Sequence, residues 1–366
     1  MKNTYGHSVA VTLFGESHGP YIGAVIDGLA PGLEINHAYI AHMLTLRRPS
    51  GAISTSRQEQ DAYTIVSGVV DNRTTGTPIT ILIPNENAQS GDYAAMETVV
   101  RPSHADYTAQ CKYHGWQDRR GGGHFSGRIT AALVAAGAIC RYALEQKGIV
   151  IGTHVQRCGG VADRDFADLS ADITALNAAP FAVLDAEAGE AMQEAIRAAA
   201  SEGDSVGGVL ETAVVGMPAG VGEPWFDTVE SLLSHMLFSI PAVKGVEFGA
   251  GFGLAEMRGS SANDPLRLEG GKVVTATNHN GGINGGITNG MPLMFRTAIK
   301  PTPTIFRVQD TVDMSCLTET TLTAQGRHDP AIVHRARVVQ DAATAIVLCD
   351  ALALRYGTDW LAECAQ

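Results

Sequence analysis

The side chains best suited to acid–base and anion-binding chemistry are concentrated in one stretch, residues 101–128. Its basic and histidine side chains outnumber its acidic ones, with Arg101, Lys112, Arg119, Arg120, Arg128, His104, His114 and His124 against Asp106 and Asp118. The whole chain has a formal net charge of −12, so this positive charge is a local concentration. The stretch is therefore a candidate site for an anionic ligand.

A glycine triplet at residues 121–123 lies inside this stretch. It is followed by Ser126 and by an apolar run over residues 129–144. Glycine allows backbone N–H groups to approach a ligand closely. A helix that begins just after it adds unpaired amides and the positive end of its dipole. These features predict a phosphate-binding loop; the alternative is a glycine-rich surface loop with solvated charges.

The overall composition is that of a water-soluble globular protein, since 45% of the 366 residues are hydrophobic and 17% are charged. This length allows one large domain or two ordinary ones. The sequence shows no linker-like change in composition and no internal repeat, which favours one domain over residues 1–366. The negative net charge argues against general binding to nucleic acid or to membrane surfaces.

The six cysteines are scattered and form no CxxC pair. They predict neither a disulfide framework nor a zinc site, and no metal is expected. The N-terminal residues lack the apolar segment and cleavage site of a signal peptide. The apolar runs are shorter than a membrane span. Together these features predict a cytoplasmic protein.

Apolar periodicity predicts intermixed strands and helices. Strands are expected at residues 8–14, 22–26, 63–70, 78–84, 150–155, 207–215 and 292–299. Helices are expected at residues 36–46 with Asn36 as N-cap, from the glycine triplet to residue 147, at 187–202, at 228–239 with Asp227 as N-cap, and at 342–355. Residues 50–61 are predicted to be a mobile loop and residues 163–180 a surface excursion.

The glycine cluster at residues 249–253 resembles a dinucleotide fingerprint only superficially. The strand–turn–helix context that gives such a motif its meaning is missing. No GxxxxGK[ST] sequence occurs either. An unrelated nucleotide-binding enzyme is therefore disfavoured.

Seven short motifs occur together and in a fixed order. They are GESHGP from Gly15, RPSHADYT from Arg101, RRGGGHFSGR from Arg119, IPAVKGVEFG from Ile240, NHNGGINGG from Asn278, KPTPT from Lys300 and GRHDP from Gly326. On these motifs the chain resembles the chorismate synthase family over nearly its full length. Any one motif alone would be weak support, but the coincidence of all of them is implausible.

The resemblance implies a carbon–oxygen lyase of aromatic amino-acid biosynthesis. Members of this family convert 5-enolpyruvylshikimate-3-phosphate to chorismate and phosphate by a 1,4-anti elimination, the final step of the shikimate pathway. They require reduced FMN although the reaction has no net redox change. The resemblance also implies an α+β fold, a single-domain β-α-β sandwich in which antiparallel sheets enclose helices, and a homotetramer.

The source of the reducing electrons differs within the family. Some members reduce their own flavin with NADPH, and others depend on an external flavin reductase. The length of this chain and its lack of long insertions favour the external reductase, with NADPH as a candidate reductant.

The matched motifs also imply roles for individual residues. His18 is the expected acid at the leaving phosphate oxygen, a task suited to a side chain that titrates near neutrality; the alternative is a turn histidine bonded to its own backbone. His104 is expected to protonate or hold the reduced flavin near N1. Asp329 is expected to take or relay the proton of flavin N5, or else to form a structural ion pair with Arg327. Ser17 is expected to complete the hydrogen bonds to phosphate or flavin.

Binding residues follow from the same match. The expected FMN contacts are His124, Phe125, Ser126, Pro241, Ala242, Gly285, Lys300, Pro301, Thr302, Pro303, Thr304 and Arg327. Arg47 matches the family arginine associated with the substrate anion or with reduced pyridine nucleotide. Further candidates for the substrate's carboxylates are Arg48, Arg119, Arg128 and Arg337, for which ordinary surface or ion-pair roles are the alternative. Arg57 is a further candidate for a substrate or NADP contact. Such cations suit a substrate with two carboxylates and a phosphate, because charge-assisted hydrogen bonds are strong.

Two positions depart from the family pattern. A second arginine usually follows the Arg-Arg-Pro segment, but here Pro49 is followed by SGAI and the next arginine is Arg57. Unless Arg57 reaches the site, the lost charge-assisted hydrogen bond costs about 1.5–3 kcal/mol. His124 stands where the family usually has arginine, so FMN affinity is expected to fall as the pH rises from about 6 to 8.

These departures motivate an alternative from a different class, a non-catalytic flavin-binding relative that kept the fold and lost the reaction. The presence of His18, His104 and Asp329 argues against it.

Overall fold

The computed structural model describes residues 2–49, 51, 53–54, 60–86, 98–324 and 328–362. Within these ranges the strands are β1 (Thr4–Tyr5), β2 (Ala10–Gly15), β3 (Tyr21–Asp27), β4 (Thr64–Ser67), β5 (Val69–Val70), β6 (Arg73–Thr74), β7 (Ile79–Pro84), β8 (Val150–Cys158), β9 (Val161–Ala162), β10 (Gly208–Val215), β11 (Val243–Phe248), β12 (Leu266–Glu269), β13 (Lys272–Thr275), β14 (Ile283–Asn284), β15 (Ile287–Thr288), β16 (Leu293–Ile299), β17 (Val308–Asp313) and β18 (Thr318–Thr323). The α-helices are α1 (His37–Arg47), α2 (Asp106–Tyr113), α3 (Thr130–Gln146), α4 (Leu169–Ala178), α5 (Ala186–Ser201), α6 (Val229–Leu237), α7 (Gly259–Ala262) and α8 (Val333–Tyr356). Short 3₁₀ turns occur at Arg120–Phe125, Gly127–Ile129, Trp225–Asp227, Gly251–Glu256 and Thr358–Leu361.

Two five-stranded antiparallel sheets form the outer layers of the fold. The first has the strand order β1-β2-β3-β7-β4, and the second has the order β11-β16-β10-β8-β9. The pairs β5–β6, β12–β13, β14–β15 and β17–β18 form separate two-stranded sheets. Strands and helices are therefore mixed in an α+β fold whose described sheet pairs are antiparallel.

The helices α3 and α8 form the layer between the two sheets. Helix α3 packs on β3 and β7 of the first sheet, α8 packs on β8 and β10 of the second, and the two helices pack on each other. They approach closely at Gly137, where a Cβ atom would lie 2.5 Å from the Cβ of Ala342. Small residues along both helices permit this approach, and most of their side chains are buried. The architecture is the predicted sandwich.

The stretch Gly127–Gln146 is long and apolar enough to span a membrane by length and composition, unlike the shorter apolar runs expected from the sequence. In the fold, 83% of its apolar 18-residue segment is buried inside the protein. This burial is that of a core helix, whose apolar side chains are covered by the sheets and by α8.

Buried polar residues of α8 form hydrogen bonds across the core. Asp341 accepts a hydrogen bond from Thr153 Oγ1 (2.5 Å), and its other carboxylate oxygen lies 3.4 Å from Arg141 Nη1. Gln340 donates through Nε2 to Thr212 Oγ1 at 2.7 Å. A buried polar group is costly unless it is hydrogen-bonded, so these partners explain how a helix with polar residues in its N-terminal half can lie in the core.

The structure confirms much of the predicted secondary structure. The strands predicted in both large sheets are present, with ends shifted by a few residues, and so are the helices after the glycine triplet and at residues 187–202. Asn36 is the predicted N-cap of α1, because its side-chain oxygen accepts a hydrogen bond from Tyr39 N. Gly68, with φ of +80°, divides the strand predicted at residues 63–70 into β4 and β5.

Three other predictions were wrong in detail. Helix α8 begins at Val333, nine residues earlier than predicted from its apolar run, because its first turns are polar but buried. Thr228 rather than Asp227 caps α6: its Oγ1 accepts a hydrogen bond from Ser231 N at 3.0 Å. The predicted surface excursion contains α4, whose N-cap is Asp168. The mobile loop predicted at residues 50–61 lies mostly outside the described residues.

Candidate active site

A cavity of about 1000 Å³ brings five of the seven motifs together. Its wall is formed by the end of α1, the residues before α2, the glycine turn before α3, the α6–β11 connection, the segment after β16 and the start of α8. The predicted site residues on this wall are Arg47, His104, His124, Phe125, Ser126, Arg128, Pro241, Ala242, Lys300, Thr302, Pro303, Thr304 and Asp329. The volume is at the upper end of the range for small-molecule and cofactor sites.

The glycine triplet lies between two histidines. All three glycines have positive φ angles, of 61°, 102° and 54°, which side chains disfavour. A Cβ atom at Gly121 would lie 2.0 Å from Cε1 of His18, and one at Gly122 would lie 3.3 Å from Cε1 of His104. The triplet therefore lets both imidazoles pack against consecutive backbone positions, and Gly121 tolerates no larger residue.

His18 and Ser17 lie behind the triplet rather than on the cavity wall. His18 is 8% exposed, and its Nδ1 is 3.1 Å from Ser17 Oγ. Ser17 is anchored by hydrogen bonds from its backbone N–H to Gly123 O (3.1 Å) and from its hydroxyl to Arg120 O (3.3 Å). The GESHGP turn thus holds His18 against Gly121, which does line the cavity.

His104 and Arg101 line the cavity and share the carboxylate of Asp106 in a hydrogen-bonded triad. The Nδ1 atom of His104 lies 2.7 Å from Asp106 Oδ1, and Arg101 donates to both oxygens of that carboxylate through Nε and Nη2, each at 2.7 Å. Burial alone would raise the pKa of Asp106, but the hydrogen bonds from Arg101 and His104 hold it well below its usual range. An ionised carboxylate only accepts hydrogen bonds, so the proton of this contact resides on His104 Nδ1. Nε2 is the ring nitrogen that does not contact Asp106.

Three arginines on the cavity wall form a cationic end of the site. Arg47 ends α1, Arg128 lies in the turn before α3, and Arg335 lies in the first turn of α8. Behind them, Asp61 contacts Arg47 Nη2 at 2.9 Å and also pairs with Arg128 Nη1. Arg335 donates through Nε to Arg47 O at 2.9 Å. The guanidinium groups are therefore held in place by the protein itself.

Asp329 is ion-paired with Arg335 through Oδ2 and Nη1. The sequence suggested Arg327 as its partner, but Arg327 lies outside the described residues. Both Asp329 and Arg335 line the cavity, so this carboxylate lies beside the cationic end of the site.

Several predicted flavin contacts also line the cavity. His124 Nδ1 lies 2.7 Å from Gly15 O, and Phe125 packs edge-on against Tyr113 with a centroid distance of 6.0 Å. Lys300 donates through Nζ to Ser103 O. Burial and the nearby Lys244 lower the pKa of Lys300, because both disfavour its charged form.

Several predicted residues lie away from the cavity. Arg337 is 1% exposed and donates through Nη2 to Ala179 O at 2.6 Å, inside the core. Gly285 lies in the β14–β15 hairpin, and neither it nor Pro301 is on the wall. Arg48 is also off the wall, and its Nε lies 4.0 Å from Asp61. The prediction that Arg337 binds the substrate is therefore not supported within this chain.

Arg335 is a cavity-lining arginine that the sequence assignment missed. Residues two apart on an α-helix point in directions about 200° apart. Only one of Arg335 and Arg337 can therefore face the cavity, and the helical spacing could have shown this. Which of the two does so depends on the rotation of α8 in the core. Arg57 and Arg327, two other predicted contacts, lie outside the described residues.

No group of three or more His, Cys, Asp or Glu side chains suited to a metal ion occurs in the part of the chain that the structure describes. Several titratable residues of the cavity are paired with other charged side chains, as in the His104 triad and the Asp329–Arg335 pair.

Comparison with known proteins agrees with the motifs and the fold. The family model described as chorismate synthase matches residues 9–353. Chorismate synthase of Aeropyrum pernix is 46% identical over 355 residues, covering 97% of this chain and 93% of the relative. The Thermococcus kodakarensis chorismate synthase is 44% identical over 350 residues, covering 96% of this chain and 97% of the relative.

A solved structure extends the similarity to three dimensions. A crystal structure of chorismate synthase superimposes with a TM-score of 0.75 at 29% identity, covering 96% of this chain and 93% of that chain. Sequence, fold and the arrangement of the motifs around one cavity therefore agree. The chain belongs to the chorismate synthase family.

Proposed function

We propose that this enzyme eliminates phosphate from 5-enolpyruvylshikimate-3-phosphate in a 1,4-anti reaction to give chorismate, with reduced FMN as an obligatory cofactor. The observation that carries the proposal is a single cavity that combines His104, the His18–Gly121 contact and a cluster of arginines. This combination suits a substrate with three anionic groups whose reaction requires proton transfer at a leaving phosphate.

The residues of the cavity fit a flavin mononucleotide. The wall segment Lys300–Thr304 contains a hydroxyl, Thr302 Oγ1, that is buried without a hydrogen-bond partner among the described residues. A buried polar group without a partner is costly, and an FMN oxygen or amide would satisfy it. The residues that would hold FMN are His104, His124, Phe125, Ser126, Pro241, Ala242, Lys300, Thr302, Pro303 and Thr304.

Reduced FMN, when bound, supplies electron density that assists the loss of phosphate and recovers it afterwards, so the reaction has no net redox change. The acid–base work falls to residues of the chain. His18 would donate a proton towards the leaving phosphate oxygen, with Ser17 bonded to its Nδ1. His104 would hold or protonate the flavin near N1 through Nε2, because Nδ1 is bonded to Asp106. Asp329 would accept or relay a proton at its carboxylate.

The cationic end would bind the substrate's carboxylates and phosphate. Arg47, Arg128 and Arg335 line it from three different elements. Arg47 Nε is buried and has no hydrogen-bond partner among the described residues, so this donor is available to an anion. Because each guanidinium is already fixed by other contacts, little side-chain entropy would be lost on binding.

Cellular context forms a second part of the proposal. We expect the protein to act in the cytoplasm as a homotetramer, with an external flavin reductase or NADPH supplying the electrons. Exposed aromatic side chains, such as Trp225 (83% exposed) and Phe226 (90%), support an assembly that covers part of this surface.

An anaerobic assay tests the proposal directly. Phosphate and chorismate would be followed together after mixing the protein, FMN and 5-enolpyruvylshikimate-3-phosphate, once with dithionite as reductant and once with NADPH alone. Equal amounts of both products with dithionite are expected. Products with NADPH alone would show that the protein reduces its own flavin. Bound FMN without product under either condition would refute the proposal and favour a non-catalytic flavin-binding relative.

A further inference from the structure

We infer that Asp61 is a positioning residue that sets the spacing of the Arg47 and Arg128 guanidinium groups and thereby the affinity for the anionic substrate. This inference rests on the proposed function. Asp61 is fully buried at its side chain and is absent from the cavity wall, so it acts through the two arginines rather than on the substrate.

The carboxylate of Asp61 bridges two elements that are far apart in sequence. Oδ2 lies 2.9 Å from Nη2 of Arg47 at the end of α1, and Oδ1 pairs with Nη1 of Arg128 before α3. Burial alone would raise the pKa of Asp61, but these guanidiniums hold it below its usual range, so the bridge is charged. Without the bridge, two buried like charges would face each other and repel.

The other contacts of the two arginines show that their orientation is specified. Arg128 donates through Nε to Asn85 Oδ1 at 2.9 Å and through Nη2 to Pro84 O at 3.0 Å. Arg47 Nη1 lies 3.4 Å from Thr130 Oγ1. Asp61 is the acidic group that joins them, since its carboxylate contacts a terminal nitrogen of each.

The backbone of Asp61 provides an independent indication. Its φ angle of +52° lies in the left-handed region, which residues other than glycine seldom adopt. Such a conformation persists when surrounding contacts hold it in place, and it is frequent at functional sites. Asp61 lies just before β4, and here its contacts with Arg47 and Arg128 hold the carboxylate in place.

The test compares variants that keep the size of the side chain. Asp61→Asn removes the charge and should raise KM for 5-enolpyruvylshikimate-3-phosphate by about tenfold or more, the equivalent of one charge-assisted hydrogen bond. We expect kcat and FMN affinity to change far less. The control is Asp172→Asn, which removes the charge of a carboxylate paired with Arg164 in the α4 region; the Asp172 side chain is 9% exposed and that of Arg164 is 41% exposed. This variant should lower thermal stability without changing KM.

A second variant covers the case in which Asp61→Asn does not fold. Asp61→Glu keeps the charge but moves the carboxylate by one methylene group, and it should also raise KM. An unchanged KM in a folded Asp61 variant, or an equal rise in Asp172→Asn, would overturn the inference. A wild-type protein that yields no chorismate and phosphate would instead refute the proposed function, so the two failures are distinguishable.

Discussion

His104 and Asp106 are joined by a contact of 2.7 Å between Nδ1 and Oδ1. The contact places a proton on Nδ1 and leaves Nε2 as the nitrogen able to interact with a ligand in the cavity. Arg101 keeps the same carboxylate ionised through two further hydrogen bonds. The orientation and tautomer of His104 are therefore set before any ligand binds.

The first prediction concerns Asp106→Asn. The neutral amide of Asn stabilises a positive charge on His104 less than the carboxylate does. Its NH₂ group can also donate a hydrogen bond to Nδ1, which favours the other tautomer of the imidazole. We expect kcat to fall by about 10²-fold, the lower end of the contribution of general acid–base catalysis. The pH profile of kcat should also move, which a purely structural role would not cause.

The control for this prediction is Asp163→Asn. Asp163 Oδ2 lies 2.7 Å from Nδ1 of His154, at the same distance as in the His104 pair but away from the cavity. This variant should lose stability and keep the kcat of the folded protein. Equal loss of kcat in both variants would contradict the special role of Asp106.

The second prediction concerns Gly121→Ala. A Cβ atom there would lie 2.0 Å from His18 Cε1, so the imidazole must move. We expect a large loss of kcat with FMN still bound. Gly148→Ala is the matched control, because Gly148 also has a positive φ of 74° but a Cβ atom at this position would have nothing within 4 Å of it. The Gly148→Ala variant should lose about 1–2 kcal/mol of stability and keep the wild-type kcat. A Gly121→Ala variant with wild-type kcat would argue against the role of His18.

The third prediction separates the two arginines of α8. Arg335→Gln should raise KM for the substrate by about ten- to a hundredfold, as expected when a charge-assisted hydrogen bond of about 1.5–3 kcal/mol is lost. Arg337→Gln should lower the melting temperature, because Arg337 is buried and bonded to Ala179 O, with no change in KM. The reverse pattern would restore the assignment made from the sequence.

The fourth prediction concerns the pH dependence of FMN binding. Histidine ordinarily changes charge between about pH 5 and 8, so the affinity should fall as the pH rises from about 6 to 8 if His124 contributes positive charge to the flavin site. His124→Arg should bind FMN with little dependence on pH in this range. Titration of FMN fluorescence would measure both, and a flat wild-type affinity would rule out the effect.

The fifth prediction concerns stability rather than activity. Burial of His154 disfavours its charged form, but hydrogen bonds to Asp163 and Glu211 outweigh this effect and raise its pKa above the ordinary value of 6.5. The charged histidine therefore stabilises the fold fully below about pH 6.5, and this stability is lost as the pH rises through the higher folded-state pKa.

Thermal melting of the flavin-free protein between about pH 6 and 9 would measure this contribution. The wild-type melting temperature should decrease more steeply than that of His154→Gln, which lacks the titrating group. Parallel slopes would show that another group controls stability in this range.

The sequence alone was sufficient for the family and for most local structure. Motif order identified the family, and five of the seven motifs line one cavity in the fold. Local signals also placed the Asn36 cap and the strands of both sheets, because alternation and capping depend on neighbouring residues. The apolar pattern failed to predict the start of α8. Polar residues there, such as Asp341, are buried because they form hydrogen bonds with residues on distant strands.

The tertiary structure decided which side chains meet. The positions of His18 behind Gly121 and of Asp61 between Arg47 and Arg128 depend on contacts across many residues of sequence, which no local pattern encodes. The choice between Arg335 and Arg337 depends on how α8 is rotated against α3 and the second sheet. Residue types and motif order thus determined the chemistry available to this protein, and the packing of two sheets around α3 and α8 determined its geometry.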